Sequence, residues 1–133
     1  MFDDKTHFLC DYFGMLKLQF RLKKKSAFNA TYRIKHSYHI NGVVLWVGKK
    51  KTDAKFPTKV GFVVSKKTHK RSVRRNRLKR LMRESYRLLL KEDKISKAQE
   101  YQSLIFVGFE RALDKDFAQM QKIVNNLLVG IKG

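Results

Sequence analysis

The chain has 133 residues, with 31 Lys+Arg against 11 Asp+Glu, a formal net charge of +20 and a pI near 10.3. That length suits one domain that buries about 65–70% of its extended surface without metals or disulfides. The single Cys10 excludes an internal disulfide framework, and without a run of about 18 apolar residues no membrane-spanning helix is expected. A positive excess of this size calls for a polyanionic partner, either nucleic acid or an anionic membrane surface. The cytoplasm is the expected compartment.

Residues 1–14, MFDDKTHFLCDYFG, set Asp3, Asp4 and Asp11 against Lys5 and do not share the basic character of the rest. The start is acidic and no small-residue cleavage site follows an apolar run, so it does not read as a secretory signal. The segment is expected to be a dispensable extension, a frayed tail or the product of an upstream start. Its Phe2, Phe8, Tyr12 and Phe13 leave docking on the domain as the alternative. A single domain is expected over residues 15–133.

Lys25 to Lys35 supports a short helix, with Ser26 as its N-cap. Phe28 and Tyr32 stand four apart and share a face, a spacing that by itself indicates a core pair. Lys24, Lys25, Arg33 and Lys35 surround them with cations. Ser37–Ile40 and Val43–Gly48 read as strands from their β-branched and aromatic content, with Asn41-Gly42 as a bend or bulge between them. Trp46, the only tryptophan, fits a core or an exposed role equally. Lys49–Pro57 is a basic connection to a third strand at Thr58–Ser65.

The stretch from Val63 to Leu90 changes period after a polar turn. At about 100° per residue, Leu78, Leu81, Met82, Ser85 and Leu89 form one stripe. Asn76, Arg80, Arg83 and Arg87 lie opposite, flanked by Arg77 and Lys79. With Ser72 as the N-cap, Arg74, Arg75 and Arg77 oppose the helix dipole, each at about 0.3–1 kcal/mol. A local rule broken without local compensation marks a functional site. Phosphates at the helix N-terminus would reconcile the charges with the dipole.

Lys91–Gln102 is polar, a loop or a frayed extension of the helix. Ser103–Phe109 reads as a strand and Leu113–Ile131 as an amphipathic helix ending at Gly130. His36 and His39 lack the Cys or carboxylate company of a metal site. No Gly-rich phosphate loop, paired acids or nucleophile–base pattern appears, so no catalytic residue is expected in the protein itself. A DNA-binding regulator would supply a second helix ahead of the basic one, whereas here a strand precedes it.

Val64-Ser65-Lys66-Lys67 after a strand, followed by Arg75-Asn76-Arg77-Leu78-Lys79-Arg80 at the head of a helix, resembles the signature of the bacterial ribonuclease P protein subunit. The likeness runs from about Leu22 to Leu128; Lys70-Arg71-Ser72 departs from the Gly-Asn-Ala that many members carry. The resemblance implies an α+β two-layer sandwich of order αβββαβα, a fold shared with the second domain of a small-subunit ribosomal protein. It also implies a left-handed crossover through the Ser72–Leu90 helix, against the roughly 98% preference for the right-handed form. Partners would be a catalytic RNA subunit, which performs Mg2+-dependent hydrolysis, and precursor tRNA, with no membrane and no cofactor bound by the protein alone. The protein would be monomeric without RNA. Lys66, Lys67, Arg71, Arg74, Arg75, Asn76, Arg77, Lys79, Arg80 and Arg83 would bind RNA. Phe28, Tyr32 and Trp46 would line a cleft for the single-stranded 5′ leader, since aromatic faces beside cations suit sequence-tolerant stacking. A basic ribosomal-type RNA-binding protein is the alternative that composition fits equally.

Overall fold

The structure, a computed structural model, describes residues 21–53, 57–92 and 98–131. The expectations for residues 1–14 and for the start of the domain lie outside these residues. Helix α1 (Lys25–Arg33) leads into strands β1 (His36–Ile40), β2 (Val43–Val47) and β3 (Lys59–Val64). The long helix α2 (Ser72–Lys91) follows, then a 3-10 turn at Ala98–Glu100 and strand β4 (Ser103–Gly108). A second 3-10 turn at Glu110–Ala112 precedes helix α3 (Phe117–Val129). Apart from the two short turns, this is the αβββαβα order read from the sequence. The strands form one sheet in the order β1-β2-β4-β3. β2 is antiparallel to β1 and β4, while β3 runs parallel to β4. Two parallel neighbours need a long crossover between them, and α2 supplies it.

Side chains alternate along each strand and divide the sheet into two faces. On one face, Val43, Leu45 and Val47 of β2 are buried with Leu104 and Phe106 of β4 and Val60 and Val64 of β3. Leu78, Met82, Tyr86 and Leu89 of α2 join this core, as do Met120, Val124, Leu127 and Leu128 of α3. Phe62 and Phe106 stack at 5.6 Å, and Tyr86 meets them at 6.3 and 5.9 Å. Each large side chain fully buried here contributes about 1.5–3 kcal/mol, so packing on the sheet holds α2 in place. Ser85 sits in the buried stripe, where its hydroxyl donates to Leu81 O at 2.8 Å and stays satisfied. The second face carries Gly61 and Val63 of β3, Ile105 and Val107 of β4, and Val44 and Trp46 of β2. Helix α1 packs on it.

Element ends depart from the sequence reading, each for a local reason. Ser26 and Ser72 lie inside their helices, and the N-caps are Lys24 and Arg71, neither with a side-chain cap bond. A cationic side chain has no acceptor to offer a helix N-terminus. α1 stops at Arg33, earlier than expected, because Lys35 turns into the left-handed region (φ 58) and its N–H closes on Tyr32 O at 3.1 Å. α3 begins at Phe117 rather than Leu113. Asp116 and Gln119 build a reciprocal capping box there, and the buried Ala112 and Leu113 belong to the 3-10 turn and the residue after it. Asn41-Gly42 is a two-residue hairpin turn rather than a bulge, with φ of 45 and 88. Two positive φ values match the twist of the flanking strands.

Candidate nucleic-acid interface

The turn between β3 and α2 is held by its own groups. The Thr68 N–H donates to Ser65 O (3.0 Å) and the Arg71 N–H to His69 Nδ1 (3.1 Å). The Arg75 guanidinium reaches back to the carbonyls of His69 and Lys70, at 2.7 and 2.9 Å. Lys66, Lys67 and Arg71 are left exposed at the mouth of α2. Along the helix Asn76, Arg77 and Arg80 are exposed, and Arg74, Arg75, Lys79 and Arg83 are half-buried.

These residues wrap the start of α2 rather than lie on one stripe. Arg74 pairs with Asp114 at 3.1 Å, and Arg77 donates to the carbonyls of Leu113 and Lys115 at 3.1 and 3.4 Å. Lys79 and Arg83 take the opposite flank, with Asn76 and Arg80 between. The first-turn cations are therefore not uncompensated, as the sequence suggested, because Arg74, Arg75 and Arg77 each find an acceptor in the protein. Each of these arginines uses one or two of its five guanidinium donors in these bonds. The groups are held in place while donors remain for phosphate. Arg87, expected on the basic face, instead pairs with Glu84 at 2.8 Å, with the two side chains only 18% and 28% exposed.

The second face of the sheet carries the aromatic residues. α1 crosses it along the row Gly61, Ile105 and Trp46, which the strand register places side by side. Phe28 lies over Gly61, where a Cβ would stand 2.6 Å from the ring's Cζ. A glycine inside a strand often marks such an approach, and here it lets the ring reach the sheet. Tyr32 meets Trp46 edge-on, with centroids 5.2 Å apart and planes at 86°. Burial pushes the Tyr32 phenol pKa up, so the ring is neutral at ordinary pH.

Phe28, Tyr32 and Trp46 are all half-buried; each anchors α1 with one part of its ring and shows another part to solvent. On the next row Val63, Val107 and Val44 continue the apolar strip toward His39. Phe109, 47% exposed, stands past the end of β4. Sequence reasoning missed Gly61, this valine row and Phe109. The available signal was that β2, β3 and β4 carry apolar residues at consecutive positions, as strands buried on two faces do. Lys24, Lys25, Arg33 and Lys35 are exposed along α1 and its ends. Among the described residues no three His, Cys, Asp or Glu side chains gather as metal ligands. No described helix is long and apolar enough to cross a membrane.

A family model described as Ribonuclease P matches residues 16–132. A ribonuclease P protein component from Clostridium botulinum (strain Loch Maree) is 35% identical over 108 residues, 81% of this chain and 90% of that one. One from Clostridium novyi is 36% identical over 113 residues, covering 85% and 94%. Among solved structures, the RNase P protein from Thermotoga maritima superposes with a TM-score of 0.69 at 25% identity, covering 85% of this chain and 98% of that one. The RNase P protein from Staphylococcus aureus gives 0.65 at 26% identity, covering 86% and 91%. The basic helix and the aromatic strip both fall inside the matched span, and the chain belongs to the ribonuclease P protein family.

Proposed function

We propose that this chain is the RNA-binding subunit of an endoribonuclease that removes the 5′ leader of precursor tRNA, with hydrolysis carried by a catalytic RNA. The two-sided arrangement carries this reading: a basic helix on one layer, and an aromatic strip on the far face of the sheet. Cations repeated along a rigid rod match the phosphates of a folded RNA, because phosphate bonds position without reading sequence. Lys66, Lys67, Arg71, Asn76, Lys79, Arg80 and Arg83 would meet that RNA, with Arg74, Arg75 and Arg77 as prepositioned donors. Half-exposed rings at Phe28, Tyr32 and Trp46, beside the lysines of α1, suit an unpaired strand whose bases stack at about 1–3 kcal/mol each. Mg2+ is expected to enter with the RNA, whose phosphates and a few waters suffice to hold it. The protein is expected to be monomeric without RNA and to act in the cytoplasm.

Reconstitution with the matching catalytic RNA tests this. Phe28→Ala and Trp46→Ala, once shown to be folded by thermal melts, should leave assembly intact. Both should lower the preference for leader-bearing substrate over mature tRNA. Arg80→Ala should do the reverse, weakening assembly and reducing its salt slope by up to about one unit per lost phosphate. Failure of the wild-type protein to stimulate cleavage at all would favour a ribosomal-type binding role. Folded cleft variants with full leader preference would overturn the cleft assignment.

A further inference from the structure

On the side of α1 away from the aromatic strip, the same sheet face ends in a second concavity. Its floor is the row Lys59, Ser103 and Gly48, joined by register and by the Gly48 N–H to Ser103 O bond of 2.8 Å. Ala27 and Ala30 of α1 and Pro57 give it apolar walls, enclosing about 420 Å³. That volume lies in the range of about 300–1,000 Å³ typical of small-molecule sites.

The polar groups of this pocket are specific in kind. Among the described lining residues Lys49, Lys51 and Lys59 stand against one carboxylate, Asp53. Lys51 is half-buried with its pKa lowered by desolvation, and among the described residues no carboxylate pairs with it. A partly desolvated ammonium favours an anion beside it. On the floor, Thr31 Oγ1 donates to Ala27 O (2.9 Å) and lies 2.6 Å from Ser103 Oγ. With the threonine proton already used, the serine must donate to the threonine. Ser103 Oγ therefore presents acceptor capacity to a ligand. Gly48 keeps the floor open, since a Cβ there would stand 2.2 Å from Ser103 Oγ.

We propose that this pocket binds one nucleotide unit, its phosphate on Lys49, Lys51 and Lys59 and its base or ribose against Ala27, Ala30 and Pro57. An N–H or O–H of the nucleoside would donate to Ser103 Oγ. The unit is either an unstacked residue of a bound RNA or a free nucleotide. α1 separates the pocket from the aromatic strip, so the assignment does not rest on the leader reading.

Titrating the full-length protein with AMP, UMP and inorganic phosphate, each at about 150 mM salt to screen exposed charge, tests the proposal by amide NMR. Both nucleotides should give saturable shifts at Gly48, Lys51, Gln102 and Ser103, with phosphate alone much weaker. Ala30→Phe keeps every charge but fills the cavity, and Lys51→Ala keeps the cavity but removes the desolvated cation. Each should weaken binding by about tenfold, the worth of one charge-assisted bond. Lys122→Ala, which removes an exposed cation on α3, should leave it unchanged. Absent shifts, equal binding of phosphate alone, or an Ala30→Phe variant that binds like wild type would overturn the proposal. Adding catalytic RNA or precursor tRNA then identifies the source, and both results support the site. Displacement of AMP assigns the pocket to a residue of that RNA, and retention assigns it to a free nucleotide.

Discussion

Phe28 and Gly61 work as a pair, because the ring reaches the sheet only where a side chain is missing. Gly61→Val should push Phe28 off the sheet at a cost of about 1–3 kcal/mol, and should reduce leader preference more than it reduces assembly with the catalytic RNA. Melting curves and competition between leader-bearing and mature tRNA check both halves. The residue types at Phe28, Tyr32 and Trp46 were legible in the sequence, but the spacing of Phe28 and Tyr32 by itself indicated a core pair and Trp46 fitted either role. Only the strand register shows that they share one face with a glycine beneath. At the C-terminus of α1, Lys35 holds a left-handed φ of 58 that costs a non-glycine residue about 1 kcal/mol. Lys35→Gly should therefore raise the melting temperature by roughly 3–4 °C per kcal/mol recovered; a fall would show that the lysine side chain contributes more than its backbone strain costs. Tyr86 supplies a pH signature. Its phenol is buried, its pKa is raised above the ordinary 10.0, and its oxygen accepts from Gln99 Nε2 at 3.2 Å. Above that pH the unfolded chain loses this proton while the folded one keeps it, so stability declines with rising pH, by up to about 1.4 kcal/mol per unit. Denaturant titrations at successive alkaline pH values should show a shallower decline in Tyr86→Phe, and an unchanged slope would refute the assignment.

At the scale of elements, α2 and α3 start in opposite ways. α3 has the capping box of Asp116 and Gln119, and Asp116→Ala should cost about 1 kcal/mol. α2 begins at Ser72 behind Arg71, an N-cap with no side-chain bond, and has no acid in its first turn. A helix selected for stability alone would place an acceptor there. Arg71→Asp should stabilise the free protein by about 0.5–2 kcal/mol through the cap and the dipole, yet weaken binding to the catalytic RNA. Opposite signs in the two measurements are the expected outcome, and a variant with improved stability and undiminished RNA affinity would remove Arg71 from the interface. The interior of α2 was legible because one apolar stripe runs unbroken from Leu78 to Leu89. Its start was not, because Ser72 is a good cap by type while the chain enters the helix one residue sooner. The start of α3 was hidden similarly, because Leu113, buried just after the 3-10 turn at Glu110–Ala112, reads as the first apolar residue of the helix.

The whole molecule carries a charge of +20, and its fold gathers part of that charge at the mouth of α2 and along α1. Composition announced a polyanionic partner but not the division into two layers, in which α1 and α2 take opposite faces of a sheet that sets β4 between β2 and β3. Pairing between strands distant in sequence leaves no periodic trace. The free protein should be destabilised by its own field, since net charge far from zero opposes the compact state. Raising a neutral salt such as KCl from about 20 to 300 mM shortens the screening length from roughly 20 Å to 6 Å and should raise the melting temperature. The opposing effect, weakening of ion pairs such as Arg74–Asp114, is small because exposed pairs are worth about 0–1 kcal/mol. RNA affinity should move the other way, falling with a log–log slope of about 0.7–0.9 per phosphate contacted. Sulfate and phosphate salts must be avoided in the comparison, because they also stabilise proteins by exclusion from the surface. A melting temperature that falls with KCl would mean that local ion pairs outweigh the repulsion, and the basic surface would then be held chiefly by the protein's own acceptors rather than kept open for RNA.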